Sequence, residues 1–454
     1  MGRSIDLARR ELLVGAMGAA AAAFVVFGPR GKREVPAGRI VVDYWEKWTQ
    51  HEGRAMQDVV DAFNASQDRV FVRYLVTAGV DQKARIAIAG GLPPDIVGMW
   101  NYNVPEFAET GAVYAFDELA GGERIRLEDY AAAMRGILTH KDAKGVERMW
   151  AVPNTGGTIA MYYNRAAFRE VGLDPDRPPR TIGEMDEYAK KLDVIDSDGT
   201  IRRVGFMHTE PGWWSFIWGP QFGGRLYDAA SNTSLADSAE NVRGAEWVQT
   251  YAKRLGVKAA MSFKSGFATE YSSPLNALLA GKAAMVVQGP WLANVINQFK
   301  PDLDYGVAPI PVADGLYREG EPIGLVESDV LMIPRNAPNK DAAMEFVAYT
   351  QRPEIVERLS TAHFKNTTLA RASEAFVKNH PNRGIAVFNA IANSPRGYLA
   401  ARTRVWPEFK DLLDAAQQQI WSCEETPKEI LGRVRERSQS AMTLAAERSA
   451  RRRG

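Results

Sequence analysis

RIVVDYW (residues 39–45), RAMQDVVDAF (54–63) and VFVRYLV (70–76) form the stretch of sequence that decides the fold class. The first and third segments are short apolar runs rich in β-branched residues, which is typical of buried strands. In the middle segment, four apolar residues recur at i, i+3, i+4 and i+7 and predict one buried helix face. A predicted helix at 80–89 and a predicted strand at 95–99 continue the alternation. This order predicts βαβ units around a parallel sheet and therefore an α/β fold.

The residues that follow these three strands are the first candidates for a binding site. They are WEKW (45–48), TAG (77–79) and WNYN (100–103). In open α/β sheets, ligands bind outside the carboxyl ends of the strands. Two of the three strand ends carry tryptophan with polar neighbours, so this edge of the sheet is expected to face a ligand.

A second α/β region is expected from about residue 155 onward. Strand-like runs occur at 159–164, 204–208, 283–289, 305–311 and 323–333. The last of these leads into a predicted helix at 340–349, and the tail from residue 408 has mostly helical periodicity. The length of 454 residues is consistent with two or three domains.

Composition excludes some classes of partner. The formal net charge is +1, which gives no electrostatic reason to expect binding to nucleic acid. The chain has 11 tryptophans, and such rings either fill cores or cover flat, partly apolar ligands. Its single cysteine, Cys423, cannot form an internal disulfide and lies far from the N-terminus, where a lipid anchor would need it.

The N-terminus has the pattern of an export signal. Arg9 and Arg10 precede an uncharged run at 12–27, which is just short of a membrane span. The paired arginines indicate the twin-arginine export route. We therefore assign residues 1–38 as an export signal or, if it is not cleaved, as an N-terminal anchor.

Motifs for catalysis or metal binding are missing from the sequence. The five histidines form no HExxH pair, and there is no phosphate-binding P-loop and no GxSxG nucleophile elbow. No cofactor and no metal are therefore expected. Paired carboxylates could still hydrolyse a glycoside, and an exported glycosidase stays open as an alternative of another class.

Several motifs carry a family resemblance when they are taken in order. They are VVDYW (41–45), DAFNAS (61–66), AIAGGLPPDIVGMW (87–100), EFAETGAVYAFDEL (106–119), AVPNTGGTIAMYYNRAAFREVGLD (151–174), PPRTIGEMDEYAKKL (178–192), GKAAMVVQGPW (281–291), DYGVAPIP (304–311), VLMIPRNAPNKDAAMEFVAYTQRPE (330–354) and TPKEILGRV (426–434). In this order they resemble the family 1 extracellular solute-binding proteins, which include maltose-binding protein. The resemblance runs from about Arg39 to Met442.

The resemblance implies a two-lobed periplasmic-binding-protein fold with hinge crossovers and a ligand cleft between the lobes. Lobe 1 is expected at 39–153 and 326–375, and lobe 2 at 154–325 and 376–454. The implied function is capture of a sugar or oligosaccharide, without chemistry, for the membrane permease subunits of an ABC importer. The expected location is periplasmic or otherwise extracytoplasmic. A receptor for glycerol phosphate or a polyol is the alternative within the same fold, and a pure protein-interaction module is a further alternative.

A sugar site needs aromatic rings against the C–H face and polar groups around the hydroxyl rim. Trp291 stands in the family's G-P-W position, and Glu327 and Asp329 interrupt an apolar strand in which unpaired carboxylates would be costly. Arg396 and Tyr398 could clamp a hydroxyl, carboxylate or phosphate. The predicted ligand-binding residues are Trp45, Glu46, Trp100, Asn103, Thr155, Thr158, Glu210, Trp213, Trp214, Trp291, Glu327, Asp329, Arg396 and Tyr398.

Overall fold

The computed structural model describes residues 35–142, 144–267 and 271–451. Nearly all of the predicted export signal or anchor, residues 1–34, lies outside the described residues. Within the described ranges, no helix combines the length and the apolar character that a bilayer crossing requires.

Fifteen strands and sixteen α-helices are assigned in the described part of the chain. The strands are β1 Ile40–Glu46, β2 Val70–Val76, β3 Ile96–Trp100, β4 Thr139–Lys141, β5 Glu147–Met149, β6 Val152–Thr158, β7 Ala160–Asn164, β8 Val194–Ile195, β9 Ile201–Arg203, β10 Tyr227–Asp228, β11 Thr233–Ser234, β12 Met285–Gln288, β13 Tyr305–Ala308, β14 Gly324–Met332 and β15 Gly397–Tyr398. The helices are α1 Gln50–Ser66, α2 Val80–Ala89, α3 Val104–Glu109, α4 Ala132–Leu138, α5 Arg165–Glu170, α6 Ile182–Leu192, α7 Trp218–Gln221, α8 Ala239–Leu255, α9 Val257–Ser265, α10 Leu292–Phe299, α11 Lys340–Thr350, α12 Pro353–Ala362, α13 Glu374–Asn379, α14 Ile385–Asn393, α15 Trp406–Ser422 and α16 Pro427–Arg451.

The larger sheet has the strand order β15-β14-β3-β1-β2, with β6 also paired to β14. Strand β1 lies between β2 and β3 and pairs parallel with both, as the alternation of strands and helices predicts. Strand β14 joins antiparallel to β3, so the sheet is mixed. The carboxyl ends of β1, β2 and β3 therefore share one edge, where the sequence predicts a ligand.

A second, smaller sheet has the order β12-β7-β13, and both pairings are antiparallel. The chain passes from the larger sheet to the smaller one through β6 and β7, which are separated only by Ile159. The α/β fold with two sheet-centred halves is confirmed. The predicted lobe boundaries at 153/154 and 325/326 fall inside β6 and β14, and they stay a prediction.

Core packing follows the pattern read from the sequence. The predicted stripe of α1, namely Met56, Val59, Val60 and Phe63, is buried beneath the larger sheet. Full burial of one such side chain contributes roughly 1.5–3 kcal/mol, so the stripe is enough to seat the helix.

One strand prediction is wrong. The run 204–208 is not an assigned strand: it forms one bridge between Val204 and Ala283, and backbone hydrogen bonds join Val204 and Gly205 to residues 282–285. The run instead buries His208 edge-on against Trp247, with ring centroids 4.3 Å apart. Packing into this aromatic cluster, rather than sheet pairing, accounts for its apolar character.

Candidate functional site

A cavity of about 860 Å³ opens beside the carboxyl ends of β1, β2 and β3. Residues after these strands line one side, and residues from the smaller-sheet half line the other. The described lining residues are Lys47, Trp48, Thr49, Gln50, His51, Glu52, Ala78, Gly79, Trp100, Asn101, Tyr102, Gly157, Gly212, Trp213, Trp214, Tyr271, Ser272, Trp291, Asn294, Val295, Glu327, Ser328, Asp329, His363, Lys365, Lys410 and Asp414. Its size is within the range of small-molecule sites.

Aromatic rings form both walls of the cavity. Trp100 and Tyr102 stack with their centroids 5.8 Å apart and their planes only 7° apart. Across the cavity, Trp214 lies beside Trp291 at 6.1 Å and beside Trp213 at 5.6 Å. Trp100 and Trp213 remain 36% and 40% exposed, so both present ring surface that a ligand could cover.

Five alternating charges form a chain in the order Glu46, Lys47, Asp329, Lys365 and Glu52. The last four line the floor of the cavity, and Glu46 is buried beneath it. The Nζ of Lys47 lies 3.2 Å from Glu46 and 2.9 Å from Asp329. The Nζ of Lys365 lies 3.1 Å from Asp329 and 2.8 Å from Glu52. Each cation thus bridges two carboxylates, which compensates for removing all five groups from water.

The pKa shifts follow from this arrangement. Burial works against the charged form of Lys365, but the charges of Glu52 and Asp329 raise its pKa above the ordinary value. Burial would by itself raise the pKa of Asp329, and the two neighbouring lysines hold it well below its usual range. Both groups therefore stay ionised at neutral pH, and the polar floor is fixed in place.

The two lysines also contact the indole faces. Lys365 Nζ lies 5.3 Å from the ring centroid of Trp48 and 5.5 Å from that of Trp291. Lys47 Nζ lies 5.1 Å from the centroids of both Trp48 and Trp100. Such cation–π contacts hold the rings in place relative to the charged floor.

Glu327 differs from the carboxylates of the floor because it has no cation in salt-bridge contact among the described residues. Its Oε2 accepts a hydrogen bond from Trp214 Nε1 at 3.1 Å. Burial raises the pKa of Glu327 to about 7. The hydrogen bond from Trp214 opposes this rise, and the negative charge of Asp329 adds to it. Near neutral pH this carboxyl group can therefore donate or accept a hydrogen bond.

Polar groups from α15 complete the opposite side. Lys410 Nζ lies 2.6 Å from Asp414 Oδ2, and Ser215 donates its hydroxyl to Asp414 Oδ1 at 2.6 Å. These contacts hold one cation and one carboxylate at the cavity rim.

Two glycines make the packing beneath the site possible. A Cβ at Gly98 would lie 1.9 Å from Glu46 Oε2, and a Cβ at Gly289 would lie 2.2 Å from the Trp291 ring. The buried carboxylate and the indole therefore occupy space that any other residue would fill.

Six of the predicted site residues line this cavity. They are Trp100, Trp213, Trp214, Trp291, Glu327 and Asp329. They combine exposed ring faces with carboxylates, the two kinds of group for which they were selected.

Five predicted residues lie outside the cavity and have structural contacts. Trp45 packs on the hydrophobic core, and Glu46 is fully buried, accepting hydrogen bonds from the hydroxyl of Tyr44 and from Asn154. Asn103 accepts from Arg85 at 3.0 Å. The hydroxyls of Thr155 and Thr158 are buried and donate to Asp329 and to the Phe388 carbonyl.

Three more predicted residues line other cavities. Glu210 lies with Lys264 in a neighbouring cavity of about 420 Å³, which shares Trp213 and Tyr271 with the main one. Arg396 and Tyr398 line a cavity that shares no described lining residue with the main site. The structure therefore does not bring these three side chains to the predicted cleft.

The sequence prediction did not include several lining residues. Lys47 and Trp48 follow β1 directly, and the strand-end rule could have identified them. Lys365 lies 36 positions after Asp329 and belongs to none of the motifs used for prediction. Lys410 and Asp414 sit four residues apart on α15, a spacing that is also typical of an ordinary surface pair.

Comparisons with known proteins agree with this architecture. The profile of the family described as bacterial extracellular solute-binding protein matches residues 47–357. The maltotriose-binding protein of Pyrococcus abyssi is 24% identical over 331 residues, which is 72% of this chain and 66% of that protein. The sn-glycerol-3-phosphate-binding periplasmic protein UgpB of Pectobacterium atrosepticum is 22% identical, covering 88% of this chain and 91% of its own length.

Solved structures show the same fold. The mannotriose-bound structure of CpMnBP1 superposes with a TM-score of 0.76 at 22% identity, covering 88% of this chain and 100% of the other. UgpB of Mycobacterium tuberculosis in complex with glycerophosphocholine gives a TM-score of 0.67 at 20% identity, covering 90% and 100%. The family match spans more than half of the sequence, and the two-sheet fold agrees with it. The chain therefore belongs to the bacterial extracellular solute-binding protein family.

Proposed function

We propose that this protein is the substrate receptor of an ABC importer and that it binds a sugar or oligosaccharide in the main cavity without changing it chemically. The observation that carries the proposal is the pairing of exposed indole faces, such as Trp100 and Trp213, with a floor of fixed charges. Pyranose rings present C–H groups on their faces and hydroxyls around their rim, so they need both kinds of surface. Each hydroxyl bonded to a charged group is worth about 1.5–3 kcal/mol net.

The charge of the cavity favours a neutral sugar over a glycerol phosphate. Among the described lining residues there are four carboxylates and three lysines, a formal sum of −1, and none is an arginine. All three lysines already pair with carboxylates. A phosphate would therefore enter without a cation left to neutralise it, at a high desolvation cost.

The pairing of the carboxylates also supports binding rather than hydrolysis. A glycosidase needs one carboxyl group as acid and a second as base or nucleophile, both free to act on the glycosidic bond. In the cavity, Glu52 and Asp329 pair with Lys365, and Asp414 pairs with Lys410. Only Glu327 has the raised pKa expected of an acid, and it has no equally free partner among the described lining residues.

The depth of the cavity supports a small-molecule ligand rather than a partner protein. Rings of Trp48, Tyr102 and Trp291 surround a concave space of about 860 Å³. A pure protein-interaction module would instead present a flat, dry surface.

Placement in transport follows from the family and the N-terminal sequence. Residues 1–38 carry the proposed export signal or anchor, which would place the receptor outside the cytoplasm and next to its permease. The crossing strands β6 and β14 are the proposed hinge, about which the halves would close on the sugar.

A thermal-shift screen over mono- and oligosaccharides, polyols and glycerol 3-phosphate tests the proposal. A ligand at about 100 times its Kd adds ~2.7 kcal/mol to the stability of the folded protein. We expect one class of neutral sugar to raise the Tm and glycerol 3-phosphate to leave it unchanged. Stabilisation by glycerol 3-phosphate alone, and its loss in a Trp291→Ala variant, would establish the rival receptor function.

Product analysis of the same mixtures separates binding from catalysis. The stabilising sugar should be recovered intact after prolonged incubation, whereas cleavage of a glycosidic bond would refute the transport assignment. A Trp213→Ala variant, which removes an exposed ring, should weaken the shift. Trp45→Phe is the matched control, because Trp45 lies outside the cavity.

A further inference from the structure

A second cavity, of about 380 Å³, lies apart from the sugar cavity and collects three arginines. Its walls combine apolar side chains such as Phe216 and Leu399 with Arg225, Arg396 and Arg402. Of its lining residues within the described ranges, none is acidic. Three positively charged side chains therefore line a partly apolar recess. Asp228 acts on Arg225 and Glu147 acts on Arg402 from outside the lining.

Arg402 is the most informative of the three. Its Nη2 is buried and has no hydrogen-bond partner in the described part of the chain. Burial lowers the pKa of this guanidinium, and the charge of Glu147 only partly opposes the effect. A buried cation without a paired anion is costly, so an ion at this position would remove an existing penalty.

The other two arginines are also available to an anion. Arg396 donates one Nη1 bond to the Glu321 carbonyl at 3.3 Å, and Arg225 is exposed at the edge of the cavity. Neither side chain forms a salt bridge with a residue that the structure describes. Other arginines of the fold do form salt bridges, as Arg148 does with Asp117 and Arg203 does with Glu170.

Two neighbouring buried polar side chains at the same recess, Tyr398 and Gln221, form only poor hydrogen bonds. The hydroxyl of Tyr398, a lining residue, is buried and forms no hydrogen bond of normal geometry with the described residues. Gln221 lies beside this hydroxyl and interacts with it, although neither amide atom of Gln221 forms a hydrogen bond of normal geometry. Buried polar groups are normally well satisfied, so a further partner at this position would improve the hydrogen bonding of both side chains.

We propose that this cavity is a second binding site, specific for the oxyanion of a small molecule that carries an apolar group, such as an organic phosphate or carboxylate. The planar guanidinium groups match the paired oxygens of such an anion, and Tyr398 can donate a further hydrogen bond. The apolar walls hold the rest of the molecule, and the volume falls within the range of small-ligand sites. The site shares no described lining residue with the sugar cavity, so both can be occupied together.

Isothermal titration of the full chain, in a buffer free of phosphate and sulfate, tests the proposal with phenyl phosphate, benzoate and inorganic phosphate as probes. We expect saturable one-to-one binding of phenyl phosphate or benzoate, tighter than that of inorganic phosphate because the walls are apolar. Whichever of the two binds more tightly identifies the oxyanion.

Variants locate the site. Loss of one charge-assisted contact should weaken binding roughly tenfold or more in Arg402→Gln and in Arg225→Gln. Arg243→Gln removes the same charge from an exposed position on α8 and should leave the affinity unchanged. Arg225 is exposed, so its variant keeps the test decisive even if Arg402→Gln does not fold.

Three results would overturn the proposal. They are the absence of saturable binding by every probe, unchanged affinity in both Arg402→Gln and Arg225→Gln, and loss of binding in Trp291→Ala. The last result would mean that the anion occupies the sugar cavity instead.

Discussion

Replacement of Glu327 by glutamine should make the protein more stable at alkaline pH and change it little at acidic pH. The carboxyl group lies at the cavity beside Trp214, and burial raises its pKa from the ordinary 4.5 to about 7. Between these two values the folded protein binds more protons at this group than the unfolded chain does. The stability contributed by wild-type Glu327 is therefore present below pH 4.5 and is lost as the pH rises through about 7.

The size of the effect follows from the shift. About 2.5 pKa units at ~1.36 kcal/mol each give an upper bound of roughly 3 kcal/mol, because the side chain keeps some contact with solvent. For a chain of this length, 3 kcal/mol corresponds to roughly 3 °C in Tm. Glutamine is neutral at every pH and can still accept the hydrogen bond from Trp214 Nε1. The Tm of Glu327→Gln should therefore exceed the wild-type Tm by up to about 3 °C at pH 8 and by almost nothing at pH 4.5.

The assay is a series of thermal unfolding curves from pH 4.5 to pH 8 for both proteins without ligand. Burial also lowers the pKa of His363 to about 4, which decreases stability as the pH falls below about 6.5. This contribution is common to both proteins and cancels in the difference. Glu123→Gln, at an exposed glutamate, is the matched control and should give a flat difference. Parallel Tm curves for wild type and Glu327→Gln would refute the reasoning.

Three further predictions concern the walls and floor of the cavity. Trp291→Ala should lose about 2 kcal/mol of sugar binding, roughly a 30-fold weaker Kd by calorimetry, with an unchanged far-UV circular dichroism spectrum; an unaltered Kd would remove Trp291 from the site. Lys365→Met should cost about 3–5 kcal/mol of unfolding free energy at pH 7, because it leaves Asp329 buried with one cation fewer. That cost should be constant above the ordinary aspartate pKa of 3.8 and should shrink as the pH falls below it towards the lowered pKa of Asp329. A cost independent of pH would argue against the ion pair. Gly98→Ala should lower the Tm, because its Cβ would lie 1.9 Å from Glu46 Oε2, and a neutral effect would show that Glu46 can move.

The strand-end rule located one wall of the cavity from sequence because parallel strands place their carboxyl ends at one edge. It led to Trp100, which lines the cavity, and also to Trp45, which packs on the core. Side chains alternate between the two faces of a strand, so a rule about strand ends cannot say which indole points into the cavity. Trp48 lies two residues after the end of β1, where the alternation of the strand no longer fixes the direction of its side chain. Its indole ring can therefore line the site.

Polar residues were harder to place because sequence separation says little about their partners. The resemblance suggested Thr155 and Thr158 as ligand contacts, but their hydroxyls are used inside the crossing strands. The sequence also predicted Arg396 and Tyr398 as cleft residues. In the structure they lie at β15 and line a different cavity. A polar side chain in an apolar segment indicates that a partner exists, and the identity of that partner depends on chain segments far away.

The sequence by itself determined the alternation of strands and helices, the family and the edge of the sheet where a ligand should lie. These follow from local periodicity and from strand direction, which a short stretch of chain already contains. Only the tertiary structure decided that Lys365 lies between Glu52 and Asp329, and that three arginines line a cavity separate from the sugar cavity. Coulombic and hydrogen-bond interactions depend on distances of a few ångströms, and those distances exist only after separate segments have packed together.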